Sequence, residues 1–245
     1  MGKIIAVVSG KGGTGKTSFT ANVGLALAAL GCHTLCLDCD ITLRNLDLAL
    51  GLSDRALMDF SDVIAGRCTL EDAVVQHPKY PKLHLLTAPL SARPVPIAPE
   101  QMKALLDRIR QTYDYCLIDA PAGLGMGFHL ASDYADRAVV VTNTDASSLR
   151  DAQRTVEELY RIRQVHLVMN RIQPRLLRQL RTTIDDAMDA AGLPLIGVIP
   201  EDRRVILAAN LGRPLILEGR QGAANACLNI AKRLEGYRVP IMRIR

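Results

Sequence analysis

No apolar run in the 245-residue chain approaches the roughly 18 residues of a membrane-spanning helix, which excludes an integral helical membrane protein. The apolar start, Ile4-Ile5-Ala6-Val7-Val8, is too short for a secretory signal and runs into glycines rather than a cleavage site. There is one Cys-x-x-Cys, Cys36 to Cys39, and no second one to complete an iron–sulfur or zinc site. The histidines, His33, His77, His84, His129 and His166, fall at no ligand spacing. Six cysteines, mostly in apolar stretches, read as reduced thiols of a cytoplasmic protein. Tryptophan is absent and aromatics make up only 4%. Repeats and low-complexity segments are also missing. What is present is ordinary for a globular chain: 49% hydrophobic and 22% charged residues exclude wholesale disorder. The length suits one large α/β domain or two small ones, and a core of that size needs no disulfides.

The net charge of +5 is unevenly spread. Residues 161–181 hold Arg161, Arg163, Arg171, Arg175, Arg178 and Arg181 and no acid. Residues 231–245 hold Lys232, Arg233, Arg238, Arg243 and Arg245 against Glu235. The remainder has 19 basic and 24 acidic residues, so a mildly acidic body carries one basic segment and a basic tail. Such windows are either solvated helix faces or contacts with DNA, anionic lipid or an acidic protein.

Short apolar, β-branched runs alternate with helical patterns. Strands are expected at Lys3–Ser9, His33–Asp38, Leu83–Thr87, Tyr115–Asp119, Arg137–Asn143, Val165–Asn170 and Leu195–Ile199. Helices are expected near 16–30, 99–112, 146–162, 175–191 and 222–235. Pro99-Glu100 opens one helix, Ser147-Ser148 can cap another, and Gly31 and Gly192 fit helix ends. The alternation predicts an α/β fold with a mostly parallel sheet and helices on both faces. Pro89, Pro94, Pro96 and Pro99 mark 87–99 as an extended surface loop.

The run Gly10-Lys11-Gly12-Gly13-Thr14-Gly15-Lys16-Thr17 fits the phosphate-loop pattern G-x-x-x-x-G-K-[ST]. It follows an apolar strand and opens an Ala/Leu-rich helix at Ser18, which is the context the pattern requires. Glycines let backbone N–H groups turn inward on a polyphosphate, and the helix N-terminus adds positive dipole. Lys16 can reach the β/γ oxygens and Thr17 can place a hydroxyl on Mg²⁺. Gly10 to Ser18 is therefore the expected ATP cradle. Tyr115-Cys116-Leu117-Ile118-Asp119 is an apolar strand ending in a carboxylate, which puts Asp119 in the Mg²⁺ shell. Asp38 and Asp40 alternate at the end of the second strand and so point the same way, toward the edge where ligands bind. One carboxylate there can orient water and the other can hold Mg²⁺.

Lys11 is a second cation that cradling alone does not require. Its position makes the loop resemble the deviant Walker A motif of the MinD/ParA family. The resemblance implies that Lys11 crosses a nucleotide-sandwich homodimer to the partner's phosphates. Asp38-Cys39-Asp40-Ile41-Thr42-Leu43-Arg44-Asn45-Leu46-Asp47-Leu48 resembles the switch I segment of the family's MinD branch, which implies Asp40 as the water-positioning residue and Asp38 as its metal-side companion. Asp119-Ala120-Pro121-Ala122-Gly123 resembles switch II, but Leu124-Gly125-Met126-Gly127 departs from the usual Glu/Thr-containing continuation. Asn170 in Met169-Asn170-Arg171, and Pro200, Glu201 and Asp202 in Val198–Asp202, match the adenine contacts of the family. Ser147-Ser148-Leu149-Arg150-Asp151 resembles the start of a partner-binding helix and implies Asp151 as a partner contact.

The resemblance runs from Met1 to about Gly236, giving an ATPase domain at 1–236 and a short tail at 237–245. The MinD branch typically ends in a basic amphipathic helix. Here Pro240 would break such a helix, and roughly five residues after it are too few to form one alone. Ile241, Met242 and Ile244 beside Arg238, Arg243 and Arg245 could give weak anionic-membrane contact. The expected function is an ATP hydrolase acting as a spatial switch in septum placement. It would use ATP and Mg²⁺, with a regulator of the MinC/MinE type, in the cytoplasm or peripherally at the inner membrane face. The alternatives are a DNA-segregating ParA-like ATPase, a flagellar-placement regulator, and an iron–sulfur carrier.

Overall fold

The computed structural model describes residues 1–90, 96–219 and 221–242. Pro94 of the proline-rich loop and Arg243, Ile244 and Arg245 of the tail lie outside the described residues. Along the chain the elements run β1 (Lys3–Val8), α1 (Lys16–Ala29), β2 (Thr34–Asp38), α2 (Leu46–Leu50), α3 (Phe60–Ile64), α4 (Leu70–Ala73), β3 (Val75–His77), β4 (Tyr80–Leu86), α5 (Pro99–Thr112) and β5 (Tyr115–Asp119). There follow α6 (Met126–Ser132), β6 (Arg137–Thr142), α7 (Ala146–Glu158), β7 (Gln164–Ile172), α8 (Pro174–Leu180), α9 (Ile184–Ala191), β8 (Leu195–Pro200), α10 (Arg203–Asn210), a 3₁₀ turn (Leu215–Glu218) and α11 (Gly222–Leu234).

The strands form one eight-stranded sheet in the order β3-β4-β2-β5-β1-β6-β7-β8. Every pairing is parallel except β3 with β4. Side chains buried on both faces explain why these strands read as unbroken apolar runs. On one face α1 and α11 cover Ile5, Val7, Leu117 and Val139, with Leu35's neighbour Cys36 joining the same side. On the other, Met102 and Leu105 of α5, Phe128 of α6, Ala152 of α7 and Ala187 of α9 cover Ile4, Ala6, Val8 and Ile118. The phosphate loop leaves β1 in the middle of the sheet, flanked by β5 and β6, where successive connections diverge and the strand ends open a crevice.

All seven expected strands and the mostly parallel order are present. The short antiparallel β3 and the helices α2, α3, α4, α6 and α10 were not foreseen. The expected helix at 175–191 is two helices, because Arg181 takes a left-handed φ of 51° and Thr183 starts a new capping box with Asp186. The cap of α7 is Asp145, whose carboxylate accepts from the Ser148 N–H, and not the serines themselves. Gly31 and Gly192 do end α1 and α9 with positive φ.

The tail turns back along α11. Arg233 donates from Nε to the Val239 carbonyl at 2.8 Å, from Nη1 to Ile196 at 2.8 Å, and from Nη2 to Pro240. Met242 packs partly buried against the α1/α11 core. Of the residues expected to dip into a membrane, Met242 is thus engaged by the protein itself.

Candidate functional site

The phosphate loop fits its residue types to tight contacts. Gly13 and Gly15 have φ of 78° and 93°, a region that favours glycine. A Cβ on Gly10 would lie 2.5 Å from the Asp151 carbonyl and 2.8 Å from Thr155 Oγ1, so this glycine lets α7 press on the loop. Asp151, expected as a partner contact, is half-buried there. A Cβ on Gly15 would run into the Asn170 amide.

The two lysines sit in different surroundings. Lys16 is only 8% exposed, and its Nζ donates to Ser9 Oγ at 2.9 Å. Burial lowers its pKa, against the pull of Asp119 and Asp40. Lys11 is at the surface, its side chain 46% exposed, with Nζ 2.8 Å from Ser147 Oγ and 3.5 Å from Asp145. Burial works against ionised Asp145, but the Ser147 and Ser148 hydroxyls and the Ser148 N–H outweigh it and hold the carboxyl below its usual range.

Asp119 and Asp38 are register partners at the ends of β5 and β2. Thr17 donates to Asp119 Oδ2 at 2.6 Å and Thr20 to Oδ1 at 3.3 Å. Burial raises Asp119 to about 6. Asp38 is raised to about 7 by burial and by Asp119. Both Asp38 oxygens accept backbone N–H groups, from Asp40 at 2.9 Å and Leu46 at 3.1 Å. Asp38, the last residue of β2, is fully buried and ties down the turn that carries Asp40. Asp40 is half-buried, and its Oδ1 accepts from Thr42 and Leu43.

A cation and a polyphosphate fit these residues. Thr14 Oγ1 is buried in the loop with no hydrogen-bond partner, which an incoming oxygen acceptor would satisfy. Thr17 and Asp119 already form the hydroxyl–carboxylate pair that suits a hard, oxygen-seeking ion such as Mg²⁺.

Beyond the loop lies a cavity of about 140 Å³ whose walls include Gly15, Ser18, Asn170, Pro200, Glu201 and Asp202. Their convergence joins segments 187 positions apart, from Gly15 to Asp202. Asn170 donates to the Thr14 carbonyl at 2.7 Å and accepts from Arg171 N–H, so its amide braces the loop. Glu201 is exposed and bonds Gln173. Asp202 accepts from Arg204 and from the Ala223 N–H at 3.2 Å, which locks the start of α11 to the wall. Sequence reasoning missed Phe19, Asn22 and Cys227 of this wall, and Ser9 and Asp145 beside the lysines. No motif carries them; only the fold brings them in.

Cys36 and Cys39 belong to opposite sides of β2, Cys36 against Gly24 of α1 and Cys39 in the other core. Burial pushes both thiols well up. Packed in different cores, they do not converge on one ligand.

The sequence matches the CobQ/CobB/MinD/ParA nucleotide binding domain over residues 5–215. The chain belongs to the MinD/ParA family. It is 40% identical over 246 aligned positions to the septum site-determining protein MinD of Synechocystis, covering 99% of this chain and 92% of that protein. Its fold superposes with a TM-score of 0.90 on a chain of the MinC:MinD cell division protein complex of Aquifex aeolicus, at 37% identity and 98% coverage of both. It also matches MinD of Pyrococcus horikoshii complexed with Mg-ADP, with a TM-score of 0.83, 31% identity and 96% coverage of both. Against this MinD/ParA frame the departure at 124–127 takes a definite form: Gly125 precedes α6 and Met126, its first residue, is 86% exposed. No helix among the described residues is long and apolar enough to cross a membrane.

Proposed function

We propose that this chain is a MinD-like ATP hydrolase that works as an ATP-dependent homodimer and acts as a spatial switch in placing the division septum. The observation that carries this reading is the unequal pair of loop lysines. Lys16 is buried and committed to its own site, whereas Lys11 stands at the rim, held by a surface pair that is worth little in water. A side chain so placed can turn outward to a second copy.

MgATP, when bound, supplies the phosphoryl group and the divalent charge. The loop N–H groups of Gly10 to Thr17 and Ser18 cradle the phosphates. Lys16 exchanges Ser9 for a phosphate oxygen. Thr17 and Asp119 would hold the metal ion, which would supply the divalent charge, with Asp38 fixing the turn from below. Asp40 orients the attacking water, and Lys11 of the second copy adds charge where it develops. Asn170, Pro200, Glu201 and Asp202 line the adenine side.

The unit that does this is 1–236, and 237–245 is a tail. A regulator of the MinC or MinE type would read the dimer, with Asp151 as one contact. The site of action is the cytoplasm, with peripheral attachment at the inner membrane face. A DNA-segregation role has weaker support. The basic window divides, with Arg161 and Arg163 at one end of β7 and Arg171 to Arg181 at the other, and Asp185, Asp186 and Asp189 follow directly on α9.

Lys11→Ala tests the reading. The variant should bind ATP as wild type does but lose hydrolysis by at least about tenfold, the scale of one charge-stabilising group. Equal hydrolysis rates in variant and wild type would sink the proposal. Sedimentation with anionic vesicles or with duplex DNA, each with and without ATP, separates the septum reading from the DNA reading.

A further inference from the structure

Strand β7 carries an irregularity beside the phosphate loop. Met169 pairs with Val198 and Ile172 with Pro200, so β7 takes three steps where β8 takes two. The extra residue falls at Asn170 and Arg171, and Arg171 holds a left-handed φ of 54°, which a non-glycine residue adopts at a cost. A bulge re-aims a side chain, and here it is that of Asn170. The residue is buried, only 7% exposed. Its Nδ2 donates to the Thr14 carbonyl at 2.7 Å, and its Oδ1 accepts from the Arg171 N–H at 2.9 Å. These partners settle which end of the amide is which, since a carbonyl can only accept and a backbone N–H can only donate. A Cβ on Gly15 would run into Nδ2, so a bare residue at 15 is what admits the amide to the loop.

Pinning that carbonyl acts across the peptide bond. In a trans peptide the C=O and the following N–H point opposite ways. Holding the Thr14 oxygen toward β7 therefore turns the Gly15 N–H away from β7 and into the loop. Gly15 is the N-cap of α1 and makes no side-chain cap bond, so the peptide is steered from outside its own helix. An amide that selects adenine needs both of its ends, one to donate to N7 and one to accept from the N6 amino group. Here Oδ1 already serves Arg171 and Nδ2 already serves Thr14. We infer that Asn170 is a positioning residue for phosphoryl transfer: it sets the loop that grips the phosphates and does not choose the base. The bulge at Arg171 is the device that aims it. This inference rests on the nucleotide reading of the site and replaces the adenine contact that the family resemblance implies for Asn170.

Tripolyphosphate with Mg²⁺ carries the phosphates without a base, and adenosine carries the base without phosphates. Each is titrated into the full chain by displacement of a fluorescent ATP analogue. Asn170→Ala, and Asn170→Leu, which keeps the volume but has no donor, should weaken tripolyphosphate and ATP alike by about tenfold, the scale of one buried hydrogen bond. Adenosine affinity and the preference for ATP over GTP should stay at their wild-type values. General damage to the fold would lower both arms together, so an unchanged adenosine arm marks positioning. Arg171→Gly loses the guanidinium but keeps the left-handed φ, whereas Arg171→Val resists it. Tripolyphosphate should therefore bind more weakly to Arg171→Val than to Arg171→Gly. Unchanged tripolyphosphate affinity in Asn170→Ala with a shifted preference between ATP and GTP would make Asn170 a base reader and overturn the inference. So would an equal fall for adenosine and tripolyphosphate, or equal binding by the two Arg171 variants. A wild-type chain that binds neither ATP nor tripolyphosphate would sink the nucleotide reading and this inference with it. Tight wild-type binding that Asn170→Ala leaves intact sinks the inference alone.

Discussion

Asp119 is a buried carboxyl whose ionised form the nucleotide-free chain supports poorly. Its pKa is raised to about 6 by burial, with the Thr17 hydroxyl, Lys16 and the Thr20 hydroxyl pulling the other way. A raised acid contributes stability that is full below the unfolded value near 4 and is lost as pH rises through about 6. The folded state binds the proton more tightly in that window, so the sign is a fall in stability with rising pH. Asp119→Asn removes the titration, and both threonine hydroxyls can rotate to suit an amide. Its stability relative to wild type should therefore rise between pH 4 and pH 7.5, by on the order of 3 kcal/mol. Urea unfolding at several pH values without nucleotide reads this, and a pH-independent difference would refute it. The same variant should lose Mg²⁺-dependent tightening of nucleotide binding, since the neutral amide replaces the charge beside Thr17. Motif residues such as Thr17 and Asp119 were legible in the sequence because each keeps a fixed position relative to a strand end. Asp145 and Ser9 were not, because their value is set by which loops the sheet brings together.

At the scale of elements, α7 and α1 give contrasting cases. The sequence suggests Ser147-Ser148 as the start of α7, yet Asp145 accepts the Ser148 N–H at 2.9 Å and takes both serine hydroxyls as donors. Asp145→Ala should cost about 1 kcal/mol of stability, the usual loss of an N-cap. Asp145→Asn should cost little, and Ser147→Ala, at the exposed side, should stay within about 0.5 kcal/mol. Denaturation midpoints that rank Ser147→Ala below Asp145→Ala would reverse the assignment. In α1 the question is Gly24, mid-helix, where alanine gains about 1 kcal/mol by propensity alone. A Cβ there would collide with Cys36 Sγ on β2, and overpacking of that kind costs roughly 1–3 kcal/mol. Gly24→Ala should thus destabilise, and adding Cys36→Ala should recover part of the loss instead of adding to it. Simple additivity in the double-mutant cycle would show that the contact does not matter. These cases explain what the pattern could and could not reveal. Long apolar strands such as β6 and β7 announce themselves, since both faces are buried. The three-residue β3 lies at an edge and has one buried side chain, His77, so no period exists to find. The break at Thr183 was readable as Thr-x-x-Asp but sat inside a longer helical pattern that masked it.

For the whole molecule, the opening question of charge resolves into places. Arg161 pairs with Asp133 at 3.3 Å, and the arginines after β7 are followed by three aspartates on α9, so the inner window is no single surface. In the tail, Arg233 is no free cation. Burial lowers its pKa, and its guanidinium serves the carbonyls of Ile196, Val239 and Pro240. It therefore ties three parts of the molecule together: the edge strand β8, helix α11 and the returning tail, with Met242 seated on the core beyond it. A planar guanidinium can reach three carbonyls at once, and an ammonium cannot. Arg233→Ala should cost on the order of 2 kcal/mol through these charge-assisted bonds. Arg233→Lys should recover only part of it. Amide exchange at residues 239–242 should accelerate at least tenfold in the alanine variant, while ATP affinity, set at the opposite ends of the strands, stays unchanged. The apolar and basic residues it frees are those suited to an anionic interface, so vesicle sedimentation should rise in step with exchange. Faster exchange without greater sedimentation would leave the tail as a structural strap alone, and unchanged exchange would show that Met242, rather than Arg233, holds it.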